Sequence, residues 1–340
     1  MWFKNLQLFK FTESFPESPE ALEEKLKEKQ FMPCKSVDAV SMGWVSPQQN
    51  TPDAPLVYAA NGFMLVCLQK EEKLVPGSVV KQMMDERIAE IEQKQGRRVG
   101  KNEKNTLKED IYHQLVMRAF SKITRHYAYI DTVDDYLVVN AASHSKAEEI
   151  SVFLRNTLGS LKIEVPKVQT LTTLLTHWLK ENQYPADFAI TDHCVMSNPK
   201  EPGVIRCQRQ NLFGEDIISL LEEGRFITQL GLSWSENLSF TIKDDFSIKS
   251  IKFLELIQDQ AKDIFTETPA DRFAADFTIM ADSLREFIRA LLREFSAPQE
   301  QAKVKKAEVV QEAKELEDDA VPFSDPVPVS GQEPVEMESV

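Results

Sequence analysis

Leu56-Val57-Tyr58-Ala59-Ala60-Asn61-Gly62-Phe63-Met64-Leu65-Val66-Cys67-Leu68 sets two apolar runs, residues 56–60 and 63–68, on either side of an Asn-Gly pair. Both turn residues accept positive φ, which a two-residue turn between twisted antiparallel strands requires. The stretch therefore reads as a β-hairpin. Upstream, residues 2–11 read as a strand, with Leu6 and Leu8 on one face and Phe9 and Phe11 on the other. Ser18-Pro19 then offers an N-cap and a first-turn proline. Leu22 and Leu26 mark one stripe of a short helix ending near Lys29.

Downstream of the hairpin, Val80, Met84, Ile88 and Ile91 recur at helical spacing from Ser78 to about Lys94, and Gly96 and Gly100 break that helix. Met83 and Met84 are expected in the core. Thr106-Leu107-Lys108-Glu109 fits a capping box, so a second helix is expected from Thr106, carrying Leu107, Ile111 and Leu115 on one face. Strands follow over residues 127–132 and 136–140, joined by Asp134-Asp135. A helix from Ser145, with Glu148 in capping-box position, stops near Gly159. In the second half, helices are expected over residues 171–179 and 215–222, and from about Asp282 to Phe295. Strands are expected over residues 203–207, 226–232, 238–242 and 248–253. Strands and helices mix without the regular alternation of a parallel sheet. The expectation is α+β, with mixed antiparallel sheets and a protruding helical hairpin.

The corresponding regions are an N-terminal α+β part (1–77 and 119–165), the hairpin (78–118), a C-terminal α+β part (166–297) and an acidic tail (298–340). The chain has 340 residues, 42% of them apolar, and a net charge of −14. The tail holds four lysines against eleven acids, a net of −7, and its Lys/Glu/Ala and Pro/Ser/Val/Glu composition reads as disordered. Cys34, Cys67, Cys194 and Cys207 show no close pairing, so neither a disulfide framework nor a zinc knuckle is signalled. The N-terminus lacks the build of a signal peptide, and no apolar run approaches the roughly 20 residues of a membrane span. A soluble, cytoplasmic protein is the expectation.

Enzyme signatures are sparse. The sequence has no G-x-x-x-x-G-K-[ST] phosphate loop and no G-x-G-x-x-G after a strand. Its five histidines never occur at i, i+4 spacing. His193-Cys194 with Cys207 is the nearest approach to a metal cluster, three ligand types where zinc wants about four, so no metal and no cofactor is expected. Asp134-Asp135 and Asp244-Asp245 sit between expected strands and read as turn residues. A nuclease would need carboxylates converging on a divalent metal, and no spacing supports that.

Positive charge is concentrated instead. Lys94, Arg97, Arg98, Lys101, Lys104 and Lys108 fall within fifteen residues that contain one acid, Glu103. Arg118, Lys122 and Arg125 follow, and Arg206, Gln208, Arg209, Gln210 and Asn211 form a separate polar-cationic strip. Cations gathered in an acidic chain suggest a polyanion, and phosphate contacts need such donors without reading sequence. A solvated hairpin tip is the competing interpretation. Phe120, flanked by cations, is either a stacking side chain or a packing residue in the core or at a subunit contact. Packing is favoured.

Two series of short motifs add a resemblance. The first is Trp2-Phe3-Lys4-Asn5-Leu6, Met42-Gly43-Trp44-Val45, Ala60-Asn61-Gly62, Lys70-Glu71-Glu72-Lys73, Val79-Val80-Lys81-Gln82, Arg118-Ala119-Phe120-Ser121, Ile130-Asp131-Thr132-Val133 and Leu158-Gly159-Ser160-Leu161. The second is Gly203-Val204-Ile205-Arg206, Ile248-Lys249-Ser250-Ile251-Lys252-Phe253 and Arg272-Phe273-Ala274-Ala275-Asp276-Phe277. Together, over roughly residues 1–295, they resemble the recombination-associated protein RdgC family. The resemblance implies a ring-shaped homodimer that encircles double-stranded DNA with little sequence preference. Single-stranded DNA is left open as a further ligand. It also implies antagonism of RecA, a nucleoid location and no catalytic activity. By position, Phe120 would close the ring with Arg118 beside it, and Arg97, Arg98, Lys101, Arg209 and Gln210 would face DNA. The family looks richer in lysine where this chain reads Cys207-Gln208-Arg209-Gln210. The rival classes are a metal-dependent nuclease or other DNA-processing enzyme, and a scaffold whose basic hairpin docks on an acidic partner. In the tail, residues 315–323 join clustered acids to Val321-Pro322-Phe323, which resembles the acidic tip of single-stranded DNA-binding proteins. Solubilisation, competition with DNA and anchoring in a partner all remain open for it.

Overall fold

Strand alternation sorts the N-terminal apolar residues onto two cores. The computed structural model describes residues 2–49, 53–200, 202–264, 266 and 268–296, all within the unit Met1–Ser296. The acidic tail, with residues 315–323, lies outside the described residues. β1 (Gln7–Phe11) sends Leu8 to one core and Phe9 and Phe11 to the other. In α1 (Pro19–Lys27), Ser18 caps the helix by accepting from Ala21 N at 3.2 Å, and Leu22 and Leu26 are buried. After β2 (Val40–Val45), the turn at Asn61 (φ 49°) and Gly62 (φ 77°) joins β3 (Val57–Ala60) to β4 (Phe63–Lys73). Two positive φ angles are the type I′ signature that the Asn-Gly pair promised. Along β4, Phe63 and Leu65 face one core while Met64, Val66 and Leu68 face the other.

Between β4 and its neighbour in the sheet, the chain makes two helices, α2 (Gly77–Gln95) and α3 (Lys101–Val116). It returns as β5 (Ser121–Asp131), which pairs with β4 along its whole length, from Phe63↔Asp131 to Lys73↔Ser121. The helical pair therefore springs from the Lys73/Ser121 end of this ribbon. β6 (Tyr136–Val139), α4 (His144–Leu158) and β7 (Ile163–Glu164) complete the sheet, whose order is β2-β4-β5-β6-β1-β7 with β3 also on β4.

The second half comprises α5 (Leu171–Glu181), β8 (Phe188–Ser197), β9 (Val204–Gln208), α6 (Glu215–Glu222) and β10 (Phe226–Trp234). It continues with β11 (Leu238–Lys243), β12 (Ile248–Phe253), α7 (Glu255–Asp263) and α8 (Pro269–Phe295). Its five strands form a second antiparallel sheet in the order β12-β11-β10-β8-β9. α8 serves both sheets. Its Phe277 ring meets Tyr58, Phe63 and Tyr129 of the first sheet, whereas Phe287 meets Trp234 and Phe240 of the second. Aromatic edges packed on faces add to the area they bury. Leu6 and Ile248 exchange backbone hydrogen bonds of 2.8 and 3.2 Å, which stitches the N-terminal segment to β12. The architecture is α+β with antiparallel sheets and a long C-terminal helix.

Several boundaries differ from expectation for identifiable reasons. α3 starts at Lys101 rather than Thr106, whose hydroxyl instead donates to Asn102 O one turn back. α4 starts at His144, with Ser143 as N-cap and Glu148 beside His144 rather than in a capping box. α8 starts at Pro269, well before Asp282, because Thr268 and Asp271 form a true capping box there. The first strand begins at Gln7, since residues 4–6 bond to Asn140 and β12 instead, and the Phe3 N–H donates to Met280 Sδ of α8. Met83 is exposed and Met84 only half-buried, because α2 packs chiefly on α3.

Candidate nucleic-acid interface

The loop between α2 and α3 is built by its glycines and one acid. Gly96 ends α2 in the left-handed region (φ 63°), and Gly100 is the N-cap of α3. Val99 is buried in the loop, and its N–H donates to Glu92 Oε1 at 3.0 Å. Glu103, at the third position of α3, accepts from the Gly100 N–H and takes a two-pronged ion pair from Arg97, with Nη1 and Nη2 at 2.7 and 2.9 Å. The Arg97 hydrogen bonds hold the Glu103 carboxyl below its usual range. This clamp sets where α3 begins.

The other cations stay uncommitted. Lys94, Arg98, Lys101, Lys104 and Lys108 are exposed, and none makes an ion pair among the described residues. Lys101, Lys104 and Lys108 share one face of α3. Lys101 and Lys104 lie in its first turns, where the helix dipole is positive and disfavours cations by a few tenths of a kcal/mol each. Folding gains nothing from that placement, whereas a phosphate would meet side-chain charge and helix N-terminus together.

At the base of the helical pair, Arg118 is exposed, and the Phe120 carbonyl accepts from Leu74 N at 2.8 Å. The Phe120 residue itself is 86% exposed, which removes it from the core. Leu74, Met117 and Ile123 are exposed around it. A groove of about 680 Å³ opens between α2 and α3, lined by Val80, Met84, Lys108 and Tyr112 among others.

The second strip lies on the edge strand of the other sheet. Arg206 and Gln208 project from β9, and Arg209 turns the chain out of the strand at φ 55°. Gln210 N donates to Asp192 O at 3.4 Å, so Asp192 shares this corner with Arg209 and Gln210. No hydrogen bond or ion pair among the described residues links this strip to the helical pair.

Of the residues weighed for metal or acid–base work, His193, Asp134 and Asp245 have other partners and Cys194 is buried. Among the described residues no group of three or more His, Cys, Asp and Glu side chains is placed to hold a metal. His193 and Cys194 are neighbours on β8 and so point to opposite faces. His193 Nε2 lies 2.7 Å from Thr241 Oγ1, while Cys194 faces the core opposite Cys207, where burial pushes its thiol up to about 12. Asp134 accepts from Arg289 at 2.7 and 2.8 Å, and Asp245 is bound by Lys243 and Ser247 in the β11–β12 turn. Arg285 and Arg289 of α8 carried no local sequence signal, because Asp131 and Asp134 come from another part of the fold. Arg97 and Glu103 are only six residues apart, but the loop path that joins them is not written in their spacing.

Comparison with known proteins decides the family. Residues 1–297 match the family model described as "Putative exonuclease, RdgC". The chain belongs to the RdgC family. It is 40% identical over 301 residues to the recombination-associated protein RdgC of Psychromonas ingrahamii, covering 88% of this chain and 99% of that one. The protein of the same name from Aeromonas hydrophila is 40% identical over 293 residues, covering 86% and 96%. That of Yersinia pestis is 38% identical over 294 residues, covering 86% and 97%. These names associate the family with recombination. The tail lies beyond the family match. Among the described residues, no helix is long and apolar enough to cross a membrane.

Proposed function

We propose that this protein is a non-enzymatic, sequence-independent binder of double-stranded DNA that closes around the duplex as a homodimeric ring. The observation that carries the reading is the set of uncommitted cations at the α2–α3 turn, placed on a helix N-terminus in a chain of net charge −14. A ring retains DNA topologically, so a modest number of phosphate contacts suffices and base reading is unnecessary. Phe120 with its apolar surround supplies a contact suited to ring closure, with Arg118 beside it, and Arg209 and Gln210 add phosphate donors. Occupying DNA in this way would antagonise RecA filament formation, and a nucleoid location follows from the ligand. Single-stranded DNA is a weaker expected ligand.

The test is salt-titrated binding to unrelated duplexes. Replacing Arg97, Arg98 and Lys101 with Ala should weaken binding about equally for all sequences and flatten the salt slope by roughly 0.9 for each phosphate no longer neutralised. Loss confined to one sequence overturns the reading. The description of the family model names an exonuclease, so duplex and single-stranded DNA are also incubated with Mg²⁺ and Mn²⁺. Cleavage that survives purification controls replaces a binder with a nuclease. Phe120→Ser should reduce retention on circular DNA more than binding to short linear duplex. Equal losses with an intact dimer would make Phe120 a DNA contact instead.

A further inference from the structure

The register of the second sheet sorts its side chains onto two unlike faces. On one face lie Leu230, Leu232, Phe240, Ile242, Ile248 and Cys194, buried together with the apolar stripes of α5, α6 and α8. The other face pairs Ser233 with Ser239, Gly231 with Thr241, and Gln229 with Lys243. It continues onto β12, where Ser239 opposes Lys252 and Thr241 opposes Lys249, and onto β9, where His193 opposes Gln208 and Val195 opposes Arg206. Among the described residues, the buried apolar side chains of α5, α6, α7 and α8 belong to the core on the opposite side. On this face Lys252, Arg206 and Gln208 are exposed and Gln229, Ser233, Ser239 and Lys249 half-buried, while Gly231 and Thr241 are covered.

Its paired positions carry cations and no acids. Lys249, Lys252 and Arg206 make no ion pair among the described residues, while Lys243 is held by Asp245 at 2.9 Å. None of the paired positions on this face carries Asp or Glu, although the chain has 54 acids against 40 Lys and Arg. Acids border the face: Asp245 in the β11–β12 turn, on Lys243, and Asp192 in the β8 bulge, its carboxylate 3.4 Å from His193 Nδ1. An ordinary solvated sheet face mixes both signs. The His193 ring and Thr191 lie so close over Gly231 that a Cβ there would collide with both, and His193 reaches across to Thr241. Hydroxyls of Ser233, Ser239 and Thr241 and amides of Gln208 and Gln229 surround the cations.

We propose that this polar face of β8–β12 is a second phosphate-binding surface, contacting the backbone of duplex nucleic acid through Lys249, Lys252 and Arg206. Of the aromatic rings of these strands, Phe188, Trp234, Phe240 and Phe253 lie in the core on the other side, and Phe226, half-buried opposite Ser197 at one end of β10, is the single phenyl ring on this face. One ring gives successive unstacked bases no run of platforms, whereas a regular row of duplex phosphates suits these hydroxyls, amides and amines. The proposal rests on the DNA-binding reading above and assigns it a second surface.

The experiment uses the full chain with Lys249, Lys252 and Arg206 each replaced by Gln, beside a separate Arg98→Ala/Lys101→Ala variant. With three phosphates no longer neutralised, at roughly 0.9 each in slope, the fall in duplex affinity between 50 and 200 mM salt should shrink by roughly 40-fold. Ser239→Glu, which places one acid in the middle of the face, should weaken duplex binding in the same direction with an unchanged melting temperature. If slope and affinity are unchanged in both face variants while the Arg98/Lys101 variant loses both, the second surface is wrong and the hairpin reading stands. If the unaltered chain shows no salt-dependent duplex binding, the DNA reading fails first. A loss seen only with single-stranded DNA overturns the duplex assignment.

Discussion

Arg285 on α8 holds Asp131 at the end of β5 with Nε and Nη2 at 2.8 and 2.9 Å, and its guanidinium lies 3.8 Å from the Phe63 ring centroid. The same Nη2 donates to Asn61 O at 3.2 Å, and Asp131 Oδ1 also accepts from the backbone of Val133 and Asp134. One side chain thus fastens the C-terminal helix to the hairpin turn and to the β5–β6 turn. Arg289 repeats the contact one helical turn on, with Asp134.

Removing either partner of the first pair should be costly, because the other charge is left buried. The side chains of Arg285 and Asp131 are 14% and 4% exposed. Arg285→Ala or Asp131→Ala should each destabilise the fold by about 3–5 kcal/mol. Arg289→Ala should cost at most about 1 kcal/mol, since that pair is more open to water. Urea unfolding midpoints at unchanged slope measure both. Equal losses at the two positions would mean that burial does not set the cost.

What the sequence disclosed and what it hid follow the same division between local and long-range physics. The Asn61-Gly62 turn, the Ser18 cap and the Gly96 and Gly100 breaks were legible, because each depends on φ angles and donors a few residues apart. The Arg285–Asp131 pair was not, since its partners are 154 residues apart in the chain. The polar halves of β4 and β5 were also missed. Lys70, Glu71 and Glu72 carry no apolar alternation and are strand because β5 pairs with them. At the interface, the charge run itself was plain, but Arg97's engagement with Glu103 depends on a loop path that spacing does not specify.

That engagement makes a prediction for the DNA-binding reading. With Arg97 tied to Glu103, Arg98→Ala should flatten the salt slope by a full phosphate's worth, roughly 0.9, and Arg97→Ala by less. Glu103→Gln keeps an oxygen for the Gly100 N–H but removes the charge that neutralises Arg97. It should therefore raise duplex affinity at low salt and steepen the slope. Weaker binding by Glu103→Gln would show that the clamp positions the loop for DNA rather than masking it.

His126 supplies a pH dependence. It is half-buried on β5, where burial first, and Lys146 and Lys70 next, hold its imidazole below 6.5, with Glu149 and Glu72 opposing. The unfolded chain therefore takes up this proton at a higher pH than the folded one. The contribution to stability is present above about pH 6.5 and is lost as pH falls from there through the lowered folded value. Melting temperature should decline over that window, and His126→Gln should remove part of the decline. An identical profile for the variant would place the titration elsewhere.

The last prediction concerns residues 298–340, whose four lysines and eleven acids hold half the net negative charge. A tether of roughly 20–40 residues confines any segment to an effective concentration approaching millimolar near the rest of its chain. If the acids compete with DNA for the cations of α2 and α3, truncation after Ala297 should raise duplex affinity at low salt. The gain should shrink as salt screens both interactions, because the tail and the phosphates are held by the same kind of force. A gain that is constant with salt would point to steric exclusion instead of charge. Affinity unchanged at every salt concentration would leave the tail a solubilising role or a partner of its own, with Val321-Pro322-Phe323 as the apolar end to test against it.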